Sequence, residues 1–303
     1  MKFEVLILGN SSATPIHDRH PTAQVINFNE QLFLIDCGEG TQTRLHKYGI
    51  KSNKINHIFI SHLHGDHYLG LVGLISSMNL HGRMSDLHLY GPSALKEILD
   101  LQLFHSDTRL QYNLIFHATN PTESEVLFAN KTIKITSFPL KHRVPTTGFR
   151  FDELKRPGVL LLNKAKDMEV PVVFYNALKA GFDCTDMDGT VYKAAKLTVP
   201  GPASRSYAFC SDTRAFEEYM DYIQEVDLLY HESTFTEEFK ERAVETQHST
   251  SLEAAQVANR VHAKKLLLGH YSARYRDLSV LLEEAKSEFV NSELSYEGNW
   301  YKI

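Results

Sequence analysis

The segment Ser61–His67 holds the residues of this chain that are best suited to chemistry. It reads Ser-His-Leu-His-Gly-Asp-His and places three imidazoles and one carboxylate within six residues, directly after the apolar run Ile58–Ile60. Neutral imidazole and carboxylate are ligand types that suit zinc and related first-row metals. Because core packing does not explain four such groups at the end of a strand, the segment predicts a metal site, with two ions as the leading hypothesis. The candidate ligands in it are His62, His64, Asp66 and His67.

Three later polar residues each come just after a predicted strand. His142 follows Ile133–Phe138, Asp212 follows Tyr207–Cys210, and His270 follows Leu266–Leu268. Side chains that follow separate strands can converge on one edge of a sheet. Together with the first cluster, these residues supply seven donors, which is enough for two metals. Asp212 suits the bridging position, because a carboxylate has two oxygens whereas an imidazole offers a metal only one nitrogen.

The chemistry expected of such a pair of ions is hydrolysis at a phosphoryl group. Two metals about 3.5–4 Å apart supply hydroxide at neutral pH and hold a phosphoryl group during in-line displacement. Asp66 could bind metal and also orient the attacking water or accept its proton. Asp36, just before two glycines, could fix the tautomer of a ligand imidazole, or could be a turn residue.

Glu232 and His248 lie at predicted strand-to-helix junctions near the same edge. As a pair they would keep the imidazole cationic and able to protonate a leaving group. From spacing alone, the simpler interpretation is a helix cap and a solvated loop histidine.

The hydrophobic pattern predicts strands that alternate with helices, preceded by hairpin-like strands. This favours an α/β fold with a mixed sheet, or two packed sheets covered by helices. The predicted helices lie at about 68–79, after Gly91-Pro92-Ser93, at Phe216–Glu225 and from Ser249, where Thr250 and Glu253 match a capping box. Further strands are predicted at Val5–Leu8, Ala23–Phe28, Leu32–Ile35, Leu87–Tyr90 and Leu228–Tyr230.

The rest of the composition describes an ordinary globular chain with one unusual segment. Three widely spaced cysteines among 303 residues argue against a disulfide framework and fit a reducing cytoplasm. The apolar run near the start of the chain, Val5–Leu8, is predicted to be a strand and not a signal peptide. No apolar run is long enough to cross a membrane.

Residues 152–200 are rich in Pro and Gly and predict an inserted arm in an otherwise single domain. Residues 131–205 carry 13 Lys and Arg against 7 Asp and Glu, although the whole chain has a net charge of −5. A basic segment could guide a polyanion, or it could be a solvated loop.

The complete set of motifs resembles the tRNase Z (ribonuclease Z) family of the metallo-β-lactamase superfamily over nearly the whole chain. The resemblance implies a four-layer αββα sandwich and a cytoplasmic endonuclease that removes 3′ trailers from precursor tRNA. It also implies a homodimer in which the arm of one subunit grips the tRNA that the other cuts. The motifs beyond the ligands are Gly9–Arg19, Asp36–Thr41, Val144–Arg150, Arg156-Pro157-Gly158, Asp188-Gly189, Ser211–Thr213, His231–Phe235, His248–Thr250 and Arg274-Tyr275.

The same resemblance implies a role for each candidate residue. It assigns His62, His64 and His142 to one zinc, Asp66, His67 and His270 to the other, and Asp212 to both. It makes Glu232 and His248 the donors of the leaving-group proton, and Asp66 a catalytic residue as well as a ligand. Manganese or iron would also suit these donors.

Two departures from the family pattern concern the substrate. The arm reads Val170-Pro171-Val172 and lacks the family's glycine-proline pair, and the N-terminal loop has His17 where the family has lysine. A small-molecule hydrolase of the same superfamily, acting on a phosphodiester, sulfate ester or thioester, is therefore the alternative. A β-lactamase, a di-iron oxidoreductase and a catalytically idle RNA-binding protein are each disfavoured by the ligand set.

Overall fold

A computed structural model of the chain describes residues 2–154 and 156–303. Met1 and Lys155, which fall within the predicted first segment and the predicted arm, lie outside the described residues. The chain divides into two compact units, of which the larger comprises residues 1–128, 135–151 and 206–303, and the smaller comprises 129–134 and 152–205. Strands β1–β18 and α-helices α1–α10 are numbered in chain order.

The first large sheet combines antiparallel hairpins with parallel strands. Its strand order is β18-β1-β2-β3-β4-β5-β6, with β1–β2 and β2–β3 antiparallel and β3–β4, β4–β5 and β5–β6 parallel. The strands are β1 Phe3–Gly9, β2 Ala23–Phe28, β3 Gln31–Ile35, β4 Ile55–Phe59, β5 Leu87–Gly91, β6 Leu114–Ala118 and β18 Trp300–Lys302.

The second large sheet has the order β17-β16-β15-β14-β9-β8-β7. Its strands β14 to β17 are parallel, so their carboxyl ends meet at one edge. The Leu residues and Tyr230 of β15 and β16 are fully buried, as expected for parallel strands covered on both faces. The strands are β7 Glu125–Ala129, β8 Ile133–Leu140, β9 Thr146–Glu153, β14 Ser206–Cys210, β15 Leu228–Glu232, β16 Leu266–Gly269 and β17 Ser292–Leu294.

Helices cover the outer face of each sheet. Buried side chains of α1, α3 and α4 pack on the first sheet, and those of α9 and α10 pack on the second. Thr250 and Glu253 form the predicted capping box at the start of α9. The helices are α1 Thr41–Lys47, α2 Gly65–Tyr68, α3 Leu71–Leu80, α4 Ala94–His105, α8 Lys240–Thr246, α9 Ser251–Arg260 and α10 Ser279–Glu288.

The inner faces of the two sheets meet through aromatic side chains. Phe33 on β3 lies 5.8 Å from Phe151 on β9, and Phe59 lies 5.5 Å from Phe149, measured between ring centroids. These rings are fully buried, and aromatic pairs at this separation are favourable beyond the area they bury. The larger unit is therefore a helix–sheet–sheet–helix sandwich, and the four-layer prediction is confirmed.

The smaller unit has its own apolar cluster, formed by Ala165, Val170, Leu178, Tyr192, Ala194 and Leu197. At its start the Glu153 carboxylate pairs with Arg156 and Arg205. The predicted arm, residues 152–200, falls within this unit and remains a prediction as an inserted element. Its short elements are β10 Val159–Leu160, α5 Leu162–Asp167, α6 Tyr175–Lys179, β11 Cys184–Thr185, β12 Val191–Tyr192, α7 Ala194–Leu197 and β13 Thr198–Val199.

The nine predicted strands are confirmed, but two of the predicted helices need correction. The helix expected at 68–79 is interrupted at Gly70, whose amide donates to the Cys37 carbonyl at 2.9 Å and whose Cα lies against Gly38. The α-helix expected at Phe216–Glu225 is wrong, since only Met220–Ile223 forms a 3₁₀ turn there. The Arg150 guanidinium donates hydrogen bonds to the carbonyls of Tyr222 and Gln224, which a longer helix would use internally. Glu225 has a left-handed φ of 55°, which a helix does not accommodate.

Candidate metal centre

Each of the seven predicted ligands lies just beyond the carboxyl end of a strand. Residues 62–67 follow β4, His142 follows β8, Asp212 follows β14, and His270 follows β16. The structure brings all seven together in two groups whose donor atoms lie within 4.8 Å of one another. One group is His62, His64, His142 and Asp212, and the other is Asp66, His67 and His270.

Asp212 occupies the space between these groups. Its Oδ2 lies 3.5 Å from His62 Nε2 and 3.7 Å from His142 Nε2. Its Oδ1 lies 3.1 Å from both His67 Nε2 and His270 Nε2. The two oxygens of one buried carboxylate therefore face two different sets of nitrogens, which is the arrangement that a ligand shared by two ions requires.

The donor atoms that face the centre fit a metal better than they fit hydrogen bonding. His67 Nε2 and His270 Nε2 are buried and have no hydrogen-bond partner among the described residues. An unpaired buried polar atom is costly, and metal coordination would satisfy it. Burial also lowers the pKa of His62, which keeps its imidazole in the neutral form that binds metal.

The opposite ring nitrogens are held by hydrogen bonds, which orient the imidazoles. His67 Nδ1 lies 2.7 Å from Asp36 Oδ2, so Asp36 occupies the supporting position considered for it from the sequence. Ser61 holds that carboxylate through its amide and its hydroxyl. His142 Nδ1 donates to the Gln247 carbonyl at 2.9 Å.

Three residues of the centre have left-handed backbone. Asp36, Asp212 and His270 have φ values of 55°, 53° and 58°, a conformation that Asp and His adopt more readily than most residues other than glycine. At each position the chain turns abruptly at the end of a strand, and this turn directs the side chain into the centre.

Glu232 and His248 form a buried pair beside the ligands. His248 Nδ1 lies 2.8 Å from Glu232 Oε1, and that carboxylate also accepts from the Thr213 amide and the Thr234 hydroxyl. Burial lowers the pKa of His248, but the Glu232 carboxylate outweighs burial and raises the pKa to about 9. The pair therefore favours an imidazolium that can donate a proton.

His248 could also be read as a metal donor, since it lies within 4.8 Å of donor atoms of Asp212 and His270. Its Nδ1 is bonded to Glu232, and that carboxylate favours the cationic imidazole, which is the form that can give a proton to a leaving group.

Asp66 is prepared to remain ionised. Its Oδ2 accepts a 2.7 Å hydrogen bond from the Ala13 amide and lies 3.4 Å from Nε2 of both His67 and His270. Burial raises the pKa of Asp66, but His67 and His270 outweigh it and hold the pKa well below its usual range. The carboxylate is therefore available as a ligand or as a proton acceptor.

An open cleft of about 290 Å³ leads to the centre. The residues that line this cleft are Ser12, Ala13, Pro15, Pro21, Glu39, His64, Gly65, Asp66, Leu69, Arg143, Asp212 and His248.

Sequence reasoning missed several groups of this site. Thr234 Oγ lies 2.5 Å from Glu232 Oε2 and 2.9 Å from His270 Nδ1, so it links the Glu232–His248 pair to a candidate ligand. The amide of Ala13 and the carbonyl of Gln247 are backbone groups, which no residue type could reveal. Arg143 adjoins the ligand His142, and that adjacency was the only available signal.

The architecture and the site define a protein of the metallo-β-lactamase fold. The metallo-β-lactamase fold protein YhfI from Bacillus subtilis is 18% identical and aligns over all of both chains with a TM-score of 0.69. The short form of human tRNase Z is 26% identical over 99% of each chain, with a TM-score of 0.72.

Proteins related to this chain in sequence identify its family within this fold. Ribonuclease Z of Bacteroides thetaiotaomicron is 43% identical over 98% of this chain and 94% of its own, and that of Cytophaga hutchinsonii is 44% identical over 100% and 97%. The chain belongs to the ribonuclease Z family, and its residues 3–155 also match the family model described as Anti-Pycsar protein Apyc1.

Proposed function

We propose that this protein is a metal-dependent endoribonuclease that removes the 3′ trailer from precursor tRNA. The cut leaves a 3′-hydroxyl on the tRNA and a 5′-phosphate on the trailer. The observation that carries the proposal is the division of the Asp212 oxygens between two sets of imidazole nitrogens, in a chain of the ribonuclease Z family. That arrangement fits a two-ion phosphodiesterase, and the relatives supply the class of substrate.

The ligands in this proposal are His62, His64, His142 and Asp212 for one ion, with Asp66, His67, His270 and again Asp212 for the other. When bound, two divalent ions would activate a water molecule and neutralise charge on the phosphodiester. Asp66 Oδ2, held by the Ala13 amide, orients that water and accepts its proton. Asp36 fixes the His67 ring so that Nε2 faces the centre.

Departure of the tRNA 3′-oxygen requires a proton, because an alkoxide is a poor leaving group. His248 uses Nδ1 to bond Glu232, so its other nitrogen, Nε2, is the one that can deliver the proton. The buried Glu232 carboxylate keeps this imidazole protonated, and the Thr213 amide and Thr234 hydroxyl keep that carboxylate in place. The two residues act together as the general acid.

The test is incubation of purified protein with a precursor tRNA, with and without chelator, followed by separation of the products on a gel. The proposal expects a single cut after the discriminator base, lost with chelator and restored by added zinc. A small aryl phosphodiester run in parallel tests the alternative. Cleavage of that ester without any cleavage of precursor tRNA would favour a small-molecule hydrolase.

We propose two zinc ions per subunit, because both donor groups combine imidazole with carboxylate. Manganese or ferrous iron also accept such donors. Elemental analysis of protein purified without added metal measures both the number and the identity of the ions. A value near one ion per chain would contradict the two-ion proposal.

We also propose that the protein is a cytoplasmic homodimer. No helix in the described residues is sufficiently long and apolar to span a membrane. Exposed apolar side chains on α3 and α4, Leu80, Leu101 and Phe104, offer a surface of the kind that subunit contacts cover. Light scattering should give about twice the 34.5 kDa chain mass, and Phe104→Glu should lower it, whereas Val290→Glu, at a similarly exposed apolar position, should not. A dimer unaffected by Phe104→Glu would rule out this face.

A further inference from the structure

The cleft carries an uneven distribution of charge. Among the described residues that line it, Arg143 is the single lysine or arginine. The carboxylates Glu39, Asp66 and Asp212 line the same space. A negatively charged substrate therefore meets one permanent cation of the protein on its way to the reacting centre, and that cation is Arg143.

The backbone of Arg143 is held on both sides, although its side chain is exposed. On one side is His142, whose ring donates to the Gln247 carbonyl. On the other side β9 begins at Thr146, and the Thr147 amide donates to the Ser61 carbonyl at 3.1 Å. Arg143 is thus anchored between the proposed ligand His142 and the segment Ser61–His67, which carries four further proposed ligands.

The Arg143 guanidinium has no ion-pair or hydrogen-bond partner within residues 2–154 and 156–303. Several other arginines of the larger unit, such as Arg44, Arg83 and Arg260, are paired with carboxylates or carbonyls. An unpaired guanidinium at the rim of an otherwise acidic cleft has no evident structural task. Its five donors in a planar fork match the oxygens of a phosphate.

We propose that Arg143 binds a backbone phosphate of the RNA next to the linkage that is cut. This inference rests on the proposed function, because it requires an RNA strand in the cleft. The linkage that reacts must reach Asp212, which is 2% exposed at the floor, whereas Arg143 is exposed at the rim. When an RNA strand places one phosphodiester beside Asp212, a neighbouring phosphate of the same strand lies near Arg143.

Kinetics of Arg143→Ala on precursor tRNA test this role. A charge-assisted hydrogen bond to phosphate is strong enough that its loss should raise KM about tenfold, while kcat stays within about twofold. Arg143→Lys should recover part of the loss, since lysine keeps the charge without the fork. Arg109→Ala, which removes an exposed arginine outside the cleft, should leave KM unchanged. An equal fall in kcat on precursor tRNA and on a small aryl phosphodiester would overturn the proposal.

Binding measured in chelator gives a readout independent of catalysis. Each phosphate contact with a single strand contributes about 0.7 to the slope of log affinity against log salt concentration. Arg143→Ala should therefore lower that slope by about 0.7, and Arg109→Ala should not. An unchanged slope would contradict a phosphate contact.

A neutral methylphosphonate placed in turn at each linkage beside the cleaved one locates the contact. At one position it should weaken binding of the wild-type protein but add nothing to Arg143→Ala, because both changes remove the same interaction. Additive effects at every position would overturn the assignment. Cleavage of precursor tRNA by the wild-type protein tests the proposed function separately, so either proposal can fail while the other stands.

Discussion

At the scale of single residues, the centre depends on where each atom of a side chain points. Asp212 turns one oxygen toward His62 and His142 and the other toward His67 and His270. Its backbone is left-handed, with a φ of 53°, two residues beyond the end of β14. Each oxygen of Asp212 therefore has its own set of imidazole neighbours.

Asp212→Asn should abolish cleavage while leaving the fold intact. The amide keeps the shape but loses the negative charge and one acceptor oxygen, so the shared ligand is lost. We expect the rate to fall at least about a thousandfold, as several kcal/mol of charge stabilisation disappear. Elemental analysis should show fewer ions per chain. Asp100→Asn, an exposed aspartate on α4, is the matched control. Full metal content with full activity in Asp212→Asn would contradict the role.

Glu232→Gln should slow precursor tRNA cleavage by about a hundredfold, which is the contribution of a typical general acid. The neutral amide no longer holds His248 in its cationic form. A p-nitrophenyl phosphodiester should be spared, because its leaving group departs without a proton. The measurement is kcat of the wild type and of Glu232→Gln on precursor tRNA and on the p-nitrophenyl phosphodiester. Equal losses on both would instead indicate that Glu232 supports the ligands through Thr234.

The residue types of the seven proposed ligands were visible in the sequence, whereas spacing alone left open whether Glu232 pairs with His248. These two residues are separated by fifteen others, and only the junctions that follow β15 and α8 bring them to 2.8 Å. Thr234 was not singled out, because a threonine after a strand has many ordinary explanations. Contacts made by backbone atoms, such as the Ala13 amide on Asp66, leave no trace in residue types.

At the scale of elements, the larger unit uses strand ends to gather the site. The parallel strands β14, β15 and β16 contribute Asp212, Glu232 and His270 at their shared carboxyl edge. Their predicted positions were correct because continuous runs of Leu, Tyr and Phe are typical of buried strands. The helix expected at Phe216–Glu225 failed for the opposite reason. Its local pattern is helical, but the carbonyls of Tyr222 and Gln224 bond Arg150 from a distant strand.

We propose that the smaller unit is an RNA-binding arm, and its removal should affect substrate binding more than chemistry. Within it the backbones of Pro157 and Gly201 run so close that a Cβ on Gly201 would lie 2.4 Å from the Pro157 carbonyl oxygen. A short glycine-serine link between these positions can therefore replace residues 158–200 without strain. We expect KM for precursor tRNA to rise at least about tenfold, because five lysines are lost, which are Lys164, Lys166, Lys179, Lys193 and Lys196.

Hydrolysis of a small aryl phosphodiester by the shortened protein should stay within about twofold of the full chain, because no metal ligand is removed. A matched control replaces the five lysines with glutamine in the full chain, which removes their positive charge and keeps the unit. Loss of activity on both substrates would mean that the segment supports the fold instead of binding RNA.

At the scale of the whole molecule, the space between the sheets is filled by rings, some of which can take up a proton. His57 on β4 lies 4.4 Å from the Phe128 ring and stacks on His88, which lies beside His117. Burial, with the charges of His88, His117 and Arg83, lowers the pKa of His57 to about 4. The folded protein therefore keeps this imidazole neutral where an unfolded chain would protonate it.

Stability should consequently fall in mild acid. Between about pH 6.5, where an unfolded histidine titrates, and about pH 4, the unfolded state binds more protons, so the free energy of unfolding decreases as pH falls. His57 should contribute up to about 3 kcal/mol to this loss. Denaturant unfolding of the wild type and of His57→Phe, at pH 7 and at pH 4.5, measures it. The variant keeps a ring against Phe128 and should lose less stability on acidification. Equal losses in both proteins would rule out His57 as a source.

The family and the fold of this protein could be predicted from its residue types and their spacing. Donor residues that follow strands indicate metal-dependent hydrolysis, and the ribonuclease Z family, the αββα sandwich and the capping box of α9 are confirmed. These features are local in the chain or repeated along it, so residue type and spacing are enough to express them. Three features became visible in the folded chain alone, namely the two directions of the Asp212 oxygens, the contact of His248 with Glu232 and the position of Arg143 in the cleft. Each depends on side-chain directions set by distant strands, and a one-dimensional pattern does not contain those directions.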